Sequence, residues 1–298
     1  MHEKSNSSSR LVLGTVALGM PYGIGDKQRP DTSEVAQLFE FAREAGINRL
    51  DTAPSYGVAE ELVGKLASSL GFEVWTKLSN IHLDNDAPSN ARISIKKSLD
   101  SLRQSGIDYL QWHNWSADLY ENPYFLEIWN EVRASSQIKH VGASTYGIEN
   151  ALSAVQSGLF DLVQIEWNLL NQSVLNAVGQ EAKNRGVKLA LRSVFLQGVL
   201  TDRGENLSGP LAKLQDFRNN AKQFAAQFGL TLNALALRAA LDHPMAPLVL
   251  IGPDRLVQLR EICRDAQLPA LSSEVLSKLR KLMVPDVSLV DPRMWNFK

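Results

Sequence analysis

The sequence predicts an α/β fold, a (β/α)8 TIM barrel with extra helices and a loop at its C-terminal end. The chain has 298 residues, a normal length for one barrel of this kind. Short apolar runs alternate with amphipathic helical segments about eight times, as the strands and helices of such a barrel do. No linker rich in Gly, Pro or Ser divides the chain. We therefore expect a single domain over residues 11–298, preceded by a flexible tail at residues 1–10.

Each element follows from a local signal. The run LVLGTVALG at residues 11–19 is apolar and predicts the first strand. Asp31 with Glu34 forms a capping box that opens the first long helix, and Gly46 ends it. The next strands are predicted at residues 47–51, 73–77, 109–113, 139–144, 162–166, 187–192 and 247–251. The helices that follow them are predicted at residues 59–70, 90–105, 123–135, 148–157, 173–184, 232–243 and 255–266. The remaining segments are helical stretches at residues 210–228 and 272–282 and an irregular tail at residues 284–298.

The composition argues against several classes of function. The formal net charge is −1, so we expect no nucleic-acid partner and no anionic-membrane surface. The single cysteine, Cys263, allows no internal disulfide and agrees with a reducing compartment. The polar, serine-rich start has no apolar signal-peptide core, and the chain has no run of about eighteen apolar residues. These features predict a cytoplasmic protein.

Each predicted strand after the first ends in a polar residue or is followed by a glycine. These residues are expected to surround one barrel mouth, because the carboxyl ends of parallel strands meet there. They are Asp51, Lys77, His113, Ser144, Gln164 or Glu166, Arg192 and Gly252. A single one would be explained as a strand cap or a surface side chain. The complete set favours a functional site.

A proton-donating group is predicted near this mouth. Tyr56 lies on a turn shortly after Asp51, and its ordinary pKa near ~10 is too high for proton transfer at neutral pH. The ammonium of Lys77 could lower that pKa, and Asp51 could hold Lys77 in place. His113 could donate a hydrogen bond to a substrate oxygen. Such an assembly suits a carbonyl, and because it contains no hydride source a cofactor must supply the hydride.

Six segments carry a resemblance to a known family. They are LDTAPSYG, VWTKLSN, DYLQWHNW, IKHVGASTYG, VQIEWNLLNQ and VLIG, spread over the length of the predicted barrel. The sequence resembles the aldo-keto reductases in these segments. The resemblance implies a catalytic tetrad formed by Asp51, Tyr56, Lys77 and His113. Four matches in order on separate strand ends make a specific signal.

The resemblance also implies a nicotinamide cofactor across the barrel mouth, bound without a GxGxxG fingerprint, which this sequence lacks. Ser144 and Gln164 match positions that hold the carboxamide, with Thr145 standing where many members have Asn. Arg192, followed by Ser193, falls where members stack a Tyr on the nicotinamide, and a guanidinium plane can stack as well. A salt bridge across the rim is the alternative for Arg192.

The resemblance places the adenosine phosphates after the last strand. The turn at Gly252 and the helix N-terminus that follows suit an anion. Many members read the 2′-phosphate with a Lys-Ser pair, absent here, and a later Arg, where this chain has Gln258. Arg255 and Arg260 could substitute, although a solvated helix face is their alternative, and Asp254 would repel a phosphate. We expect NADP(H), with NAD(H) as the alternative.

Three tryptophans are predicted to wall the substrate pocket. Trp115 and Trp167 fall just past strand ends, and Trp295 lies in a tail that could fold over the mouth as the family's C-terminal loop does. Core packing is the alternative for the first two, and disorder is the alternative for the tail. No metal site is predicted, because His82 has no partners at ligand spacing.

Together these features predict an NAD(P)H-dependent oxidoreductase that reduces an aldehyde or ketone, which could be a sugar or keto-sugar, with Tyr56 as general acid. One alternative is a sugar dehydrogenase that runs in the oxidative direction, for which the polar loops near residues 79–90 and 284–297 leave room. Another is a regulatory subunit that binds nicotinamide and reports redox state to a partner. The expected partner is a small-molecule carbonyl or alcohol. The sequence does not fix the oligomeric state, and a monomer is compatible with it.

Overall fold

Eight parallel strands close into a barrel in chain order, with the last strand paired to the first. The computed structural model describes residues 7–25, 28–245 and 247–295. The strands are β1 (Leu11–Gly14), β2 (Arg49–Asp51), β3 (Glu73–Leu78), β4 (Ile107–Trp115), β5 (Ile138–Thr145), β6 (Leu162–Glu166), β7 (Lys188–Arg192) and β8 (Leu248–Ile251). The closed barrel confirms the predicted fold class.

Helices surround the barrel and alternate with its strands. They are α1 (Val16–Gly19), α2 (Thr32–Glu44), α3 (Ala59–Leu66), α4 (Ala87–Leu102), α5 (Pro123–Ala134), α6 (Ile148–Gln156), α7 (Ser173–Arg185), α8 (Gln215–Ala226), α9 (Leu232–Leu241), α10 (Leu256–Ala266) and α11 (Ser273–Lys278). The Asp31 carboxylate caps α2 by accepting a hydrogen bond from the backbone N–H of Glu34, as predicted. None of the helices in the described ranges is both long and apolar enough to cross a bilayer.

The barrel interior is apolar at its amino end and polar at its carboxyl end. A buried apolar cluster fills the lower interior and consists of Val12, Trp75, Tyr109, Leu162 and Ala190. Nearer the carboxyl ends, strand pairing sets Lys77 beside Gln111 and Ser144 beside Gln164. The strands therefore deliver their polar residues to one rim above an apolar floor.

Several predicted boundaries differ from the structure by two to five residues, and two of these differences have identifiable reasons. The first strand ends at Gly14, and residues 16–19 form α1 instead, because a short apolar run fits a buried helix as well as a strand. Helix α4 starts at Ala87, three residues before the predicted position, and Pro88 occupies its first turn, where the missing N–H costs no hydrogen bond.

The segment before β1 is partly folded. Residues 1–6 of the predicted tail lie outside the described residues. Ser7–Arg10 forms a 3₁₀ turn in which Ser8 is buried. The Arg10 guanidinium donates a hydrogen bond to the carbonyl of Leu241, and Arg49 donates one to the carbonyl of Ser9. The last four residues of the predicted tail thus belong to the packed structure.

Candidate active site

The ends of β2, β3 and β4 and the loop after β2 bring Asp51, Tyr56, Lys77 and His113 together. The Lys77 ammonium lies 2.6 Å from Oδ2 of Asp51 and donates to the carbonyl of Thr52 at 2.8 Å. Its Nζ is 4.9 Å from the centroid of the Tyr56 ring. The Tyr56 and His113 rings meet edge to face with centroids 6.0 Å apart. The geometric part of the sequence prediction is therefore met.

Asp51 and Lys77 form a buried ion pair whose side chains are only 4% and 1% exposed. Amide groups from two other strands complete the hydrogen bonding of the Asp51 carboxylate. Gln111 and Gln164 donate to Oδ1 at 3.1 and 2.5 Å. Gln111 has no counterpart among the predicted site residues. Gln164 was expected to bind the nicotinamide carboxamide, yet its amide nitrogen is already used by Asp51.

The turn that carries Tyr56 packs directly against α1. Gly57 has φ +60°, a conformation that favours glycine, and a Cβ there would collide with the carbonyl of Gly19. A Cβ on Gly19 would lie 2.6 Å from the Cβ of Ala59 and would overlap the carbonyl of Tyr56. The two glycines allow the close backbone contact that fixes the phenol over Lys77.

The expected lowering of the Tyr56 pKa is wrong. Burial raises this pKa well above the ordinary tyrosine range, and the Asp51 carboxylate adds to the rise, while Arg192 opposes it. The charge of Lys77 is balanced by Asp51 at 2.6 Å, so the pair offers little net stabilisation to a phenolate. Burial also lowers the pKa of Lys77, and Asp51 opposes that change. The phenol is a protonated donor at neutral pH.

His113 is neutral for a similar reason. Burial lowers its pKa to about 3, with further contributions from the charges of Lys77 and Arg192. The Ser79 hydroxyl lies 2.8 Å from Nδ1 of His113. When Ser79 donates to Nδ1, the ring proton resides on Nε2, which gives a neutral hydrogen-bond donor. Ser79 was not predicted, although it lies two positions after Lys77 in the same segment.

A cavity of about 460 Å³ opens beside this quartet. Its lining includes Asp51, Tyr56 and His113 at one end and residues of α9 and α10 at the other. Of the predicted cofactor residues, the lining contains Ser144, Gln164, Arg192, Ser193, Gly252 and Gln258. Their role in binding a cofactor stays a prediction. The lining also contains residues that the sequence reasoning missed, namely Tyr22, Tyr146, Arg203, Asn233, Glu261, Asp265 and Arg293.

Three predicted cofactor residues point elsewhere. Thr145 is fully buried, and its hydroxyl faces the carbonyl of Gln164 instead of the cavity. Arg255 donates to the carbonyls of Asp254 and Gln28, and Arg260 lies over the Phe41 ring at 5.2 Å. Both arginines are occupied on the α2 side of α10, so their predicted contact with a phosphate is not supported.

The three predicted pocket tryptophans are absent from the cavity wall formed by the described residues. Trp115 and Trp167 are each only 1% exposed, and Trp115 packs edge to face on Phe125 and Phe160. Trp295 is also buried, and its indole N–H donates to the carbonyl of Leu289. Core packing, the alternative for Trp115 and Trp167, is what the structure shows.

Arg192 forms a salt bridge across the barrel rim, the alternative to its predicted stacking on the nicotinamide. Its guanidinium lies 3.5 Å from Glu166 and 3.9 Å from the centroid of the Tyr146 ring. The guanidinium of Arg293, from the tail, lies 3.7 Å from the centroid of the same ring and forms an ion pair with Asp291. Tyr146 therefore contacts two guanidinium groups, and Arg293 brings the C-terminal tail to the cavity.

The cavity lining leaves polar atoms that a bound nicotinamide cofactor could contact. Two of its buried polar atoms, Nε of Arg192 and Oδ1 of Asn233, have no hydrogen-bond partner within the described residues. The first N–H of α10, at Leu256, donates to the Glu34 carboxylate at 3.4 Å, so a side chain already occupies the N-terminus of this helix. No cluster of metal-ligating side chains occurs among the residues that the structure describes.

Known proteins resemble this chain over most of its length. The model of the Aldo/keto reductase family matches residues 10–283. Aldo-keto reductase YhdN of Bacillus subtilis (strain 168) is 27% identical over 286 residues, which cover 86% of this chain and 85% of that protein. The NADH-specific methylglyoxal reductase of Escherichia coli (strain K12) is 26% identical over 290 residues, which cover 85% of this chain and 88% of that protein. The holo form of aldo-keto reductase AKR11C1 from Bacillus halodurans shares the fold, with a TM-score of 0.76 at 20% identity over 92% and 91% of the two chains. Because the family match spans nearly the whole sequence, the chain belongs to the aldo/keto reductase family.

Proposed function

We propose that the protein reduces an aldehyde or ketone to the alcohol with a reduced nicotinamide cofactor. The observation that carries this proposal is the buried Lys77–Asp51 pair directly beneath Tyr56, with His113 beside the phenol at one end of the cavity. The bound nicotinamide would supply the hydride. The side chains of this site would hold the carbonyl and deliver the proton.

Tyr56 is the proposed general acid. Its raised pKa keeps the phenol protonated at neutral pH, so it can give its proton to the substrate oxygen as negative charge develops there. The Lys77 ammonium lies under the ring and is held by Asp51 and the carbonyl of Thr52. Its charge would offset the repulsion between the Asp51 carboxylate and the phenolate that remains after proton transfer.

His113 is the proposed orienting donor. A neutral imidazole fixed by Ser79 can donate from Nε2 to the carbonyl oxygen without bringing a further positive charge to the site. Two donors, the phenol and the imidazole, would then converge on one oxygen. This arrangement polarises the carbonyl and fixes which of its faces is open to reduction.

The choice of cofactor does not alter these roles. The sequence predicts NADP(H), with NAD(H) as the alternative, and either would place its nicotinamide at the end of the cavity lined by Tyr56. In this reading Ser144 and Gln164 lie near the carboxamide, and Arg192 with its unpaired Nε lies near the ring. Gln164 would have to share its amide between Asp51 and the cofactor.

A protonated phenol suits the reductive direction, in which Tyr56 gives up its proton. A sugar dehydrogenase would use the same residues in reverse, with Tyr56 accepting the proton of the alcohol, and stays the alternative. A regulatory subunit would not need the complete quartet. Since an E. coli relative is named a methylglyoxal reductase, small 2-oxoaldehydes are sensible first substrates here.

A substrate panel run in both directions tests this proposal. We expect turnover of methylglyoxal, an aromatic aldehyde or an aldose with reduced cofactor, and slower oxidation of the matching alcohols at neutral pH. Tight cofactor binding without turnover of any carbonyl would support the regulatory subunit instead. Turnover only in the oxidative direction would support a dehydrogenase.

A further inference from the structure

His113 and its hydrogen-bond partner Ser79 lie side by side at the ends of two neighbouring strands. Strand pairing sets Leu78 of β3 beside Trp112 of β4, so the next residue of each segment, Ser79 and His113, are neighbours as well. The Ser79 hydroxyl lies 2.8 Å from Nδ1 of His113, and His113 lines the cavity. The position of this contact therefore sets the direction of the Nε2–H donor.

Both residues are followed by an asparagine in the left-handed backbone region. Asn80 has φ 58° and Asn114 has φ 63°. This region is strained for residues other than glycine, and asparagine tolerates it better than most. Both asparagines are exposed, and neither side chain forms a hydrogen bond or ion pair with any described residue. The choice of asparagine at both positions is therefore explained by the backbone conformation.

Asn114 also belongs to a β-bulge that separates two side chains of β4. Between Trp112 and Trp115, two residues of β4 face a single residue of β5. In a regular strand His113 and Trp115 would share a face. Instead His113 lines the cavity, while Trp115 packs outside the barrel against Phe125 of α5. An extra residue of this kind bends the strand and redirects the side chains beside it. The bulge thus turns the imidazole inward and the tryptophan outward.

We propose that Asn80 and Asn114 are positioning residues for carbonyl reduction, because their left-handed backbones hold Ser79 and His113 at hydrogen-bond distance. The inference rests on the proposed function, in which Nε2 of His113 donates to the substrate oxygen. Among the described residues that line the cavity, neither asparagine occurs, so both act through His113. A side chain that disfavours the left-handed region would rotate the end of its strand, break the contact with Nδ1 and release the ring from a single tautomer.

Substitutions at Asn114 test the proposal through kinetics of the full chain. Asn114→Val places a β-branched residue at φ 63°. We expect kcat for aldehyde reduction to fall at least about tenfold, because the displaced imidazole no longer meets the oxygen. The dissociation constant of the reduced cofactor should stay within about twofold of the wild-type value. Asn114→Gly adopts the same backbone without strain and should keep at least about a third of the wild-type kcat. The corresponding variants of Asn80 should repeat this pattern.

Two further measurements separate positioning from a general loss of stability. Nitrogen chemical shifts of isotope-labelled histidine report the tautomer of His113 without any turnover. The chain has five histidines, so a His113→Gln sample assigns the signal. We expect one neutral Nε2–H tautomer in the wild type and a mixture in Asn114→Val. In a His113→Gln background, Asn114→Val should lower the remaining kcat by less than about twofold.

The matched control is Arg103→Val. Arg103 is also exposed, has φ 53° and ends α4 outside the cavity lining. This variant should lower the melting temperature about as much as Asn114→Val, while kcat and the His113 tautomer stay unchanged. A wild-type kcat and tautomer in Asn114→Val would overturn the proposal, as would equal losses of kcat in Asn114→Val and Arg103→Val. If the wild type reduces no carbonyl, the proposed function fails, and the tautomer measurement still decides whether the asparagines position His113.

Discussion

Replacing Lys77 by Met should destabilise the protein strongly because it leaves the Asp51 carboxylate buried without its counter-ion. The pair is 2.6 Å apart, and the side chains are 1% and 4% exposed. Breaking such a buried pair costs about 3–5 kcal/mol. Gln111 and Gln164 still donate to Oδ1 of Asp51. We therefore expect a loss near the lower limit, about 3 kcal/mol.

Urea unfolding followed by circular dichroism measures this loss. The double variant Asp51→Asn/Lys77→Met removes both charges and should be more stable than Lys77→Met alone, while turnover stays lost. The control is Lys139→Met, since Lys139 is also 2.6 Å from its partner Asp108 but is 69% exposed. It should cost no more than about 1 kcal/mol. Equal losses for Lys77→Met and Lys139→Met would refute the argument, as would a double variant no more stable than Lys77→Met.

Three further outcomes follow from the site. Lowering the pH from 6.5 toward about 3 should destabilise the wild type through His113, because the unfolded imidazole binds a proton in that window and the folded one does not. His113→Gln should flatten this part of a plot of unfolding midpoint against pH. An unchanged slope in the variant would contradict the role of His113. Gly19→Ala should push the Tyr56 turn away from α1, so turnover should fall by at least about tenfold while cofactor affinity changes less. Turnover equal to that of the wild type would contradict the positioning role of this glycine. Arg203→Met should leave Asp254 buried without its partner and lower both the melting temperature and the dinucleotide affinity. Differential scanning fluorimetry with and without NADH measures both effects. A melting temperature equal to that of the wild type would disprove this expectation.

The barrel and the quartet could be predicted from the sequence for the same physical reason. The order of strands and helices fixes the topology of a parallel barrel, and topology sends the last residue of every strand to one rim. Asp51, Lys77 and His113 lie at or within a few residues of strand ends, and Tyr56 follows Asp51 closely on a turn. Sequence position alone was thus enough to bring these four together.

The remaining contacts depend on information that local patterns do not carry. Gln111 lies within a strand and not at its end, so the sequence did not mark it as a site residue. Only the register that pairs it with Lys77 shows that its side chain faces the barrel interior. The register between β4 and β5 shifts between Trp112 and Trp115, and such a shift changes which face a side chain occupies. The sequence also placed the end of this strand at His113, whereas β4 runs to Trp115, so Trp115 was assigned to the pocket instead of the core.

The pKa of Tyr56 could not be judged from residue types. A lysine expected on the neighbouring strand suggested a lowered pKa, but the sign of the shift depends on how deeply the phenol is buried and on where the Lys77 charge is balanced. The two arginines at the start of α10 posed the same difficulty. Arg255 and Arg260 looked like phosphate ligands, and only the structure shows that both side chains turn toward α2.

Single-turnover kinetics of Tyr56→Phe test the central claim most directly. The variant removes one hydroxyl and keeps the ring over Lys77, so reduced cofactor should bind with its wild-type dissociation constant. Mixing that complex with aldehyde and following the absorbance of the reduced nicotinamide should show a rate about 10²–10⁴-fold below the wild type. A rate equal to that of the wild type, with intact cofactor binding, would contradict the assignment of Tyr56 as the proton donor.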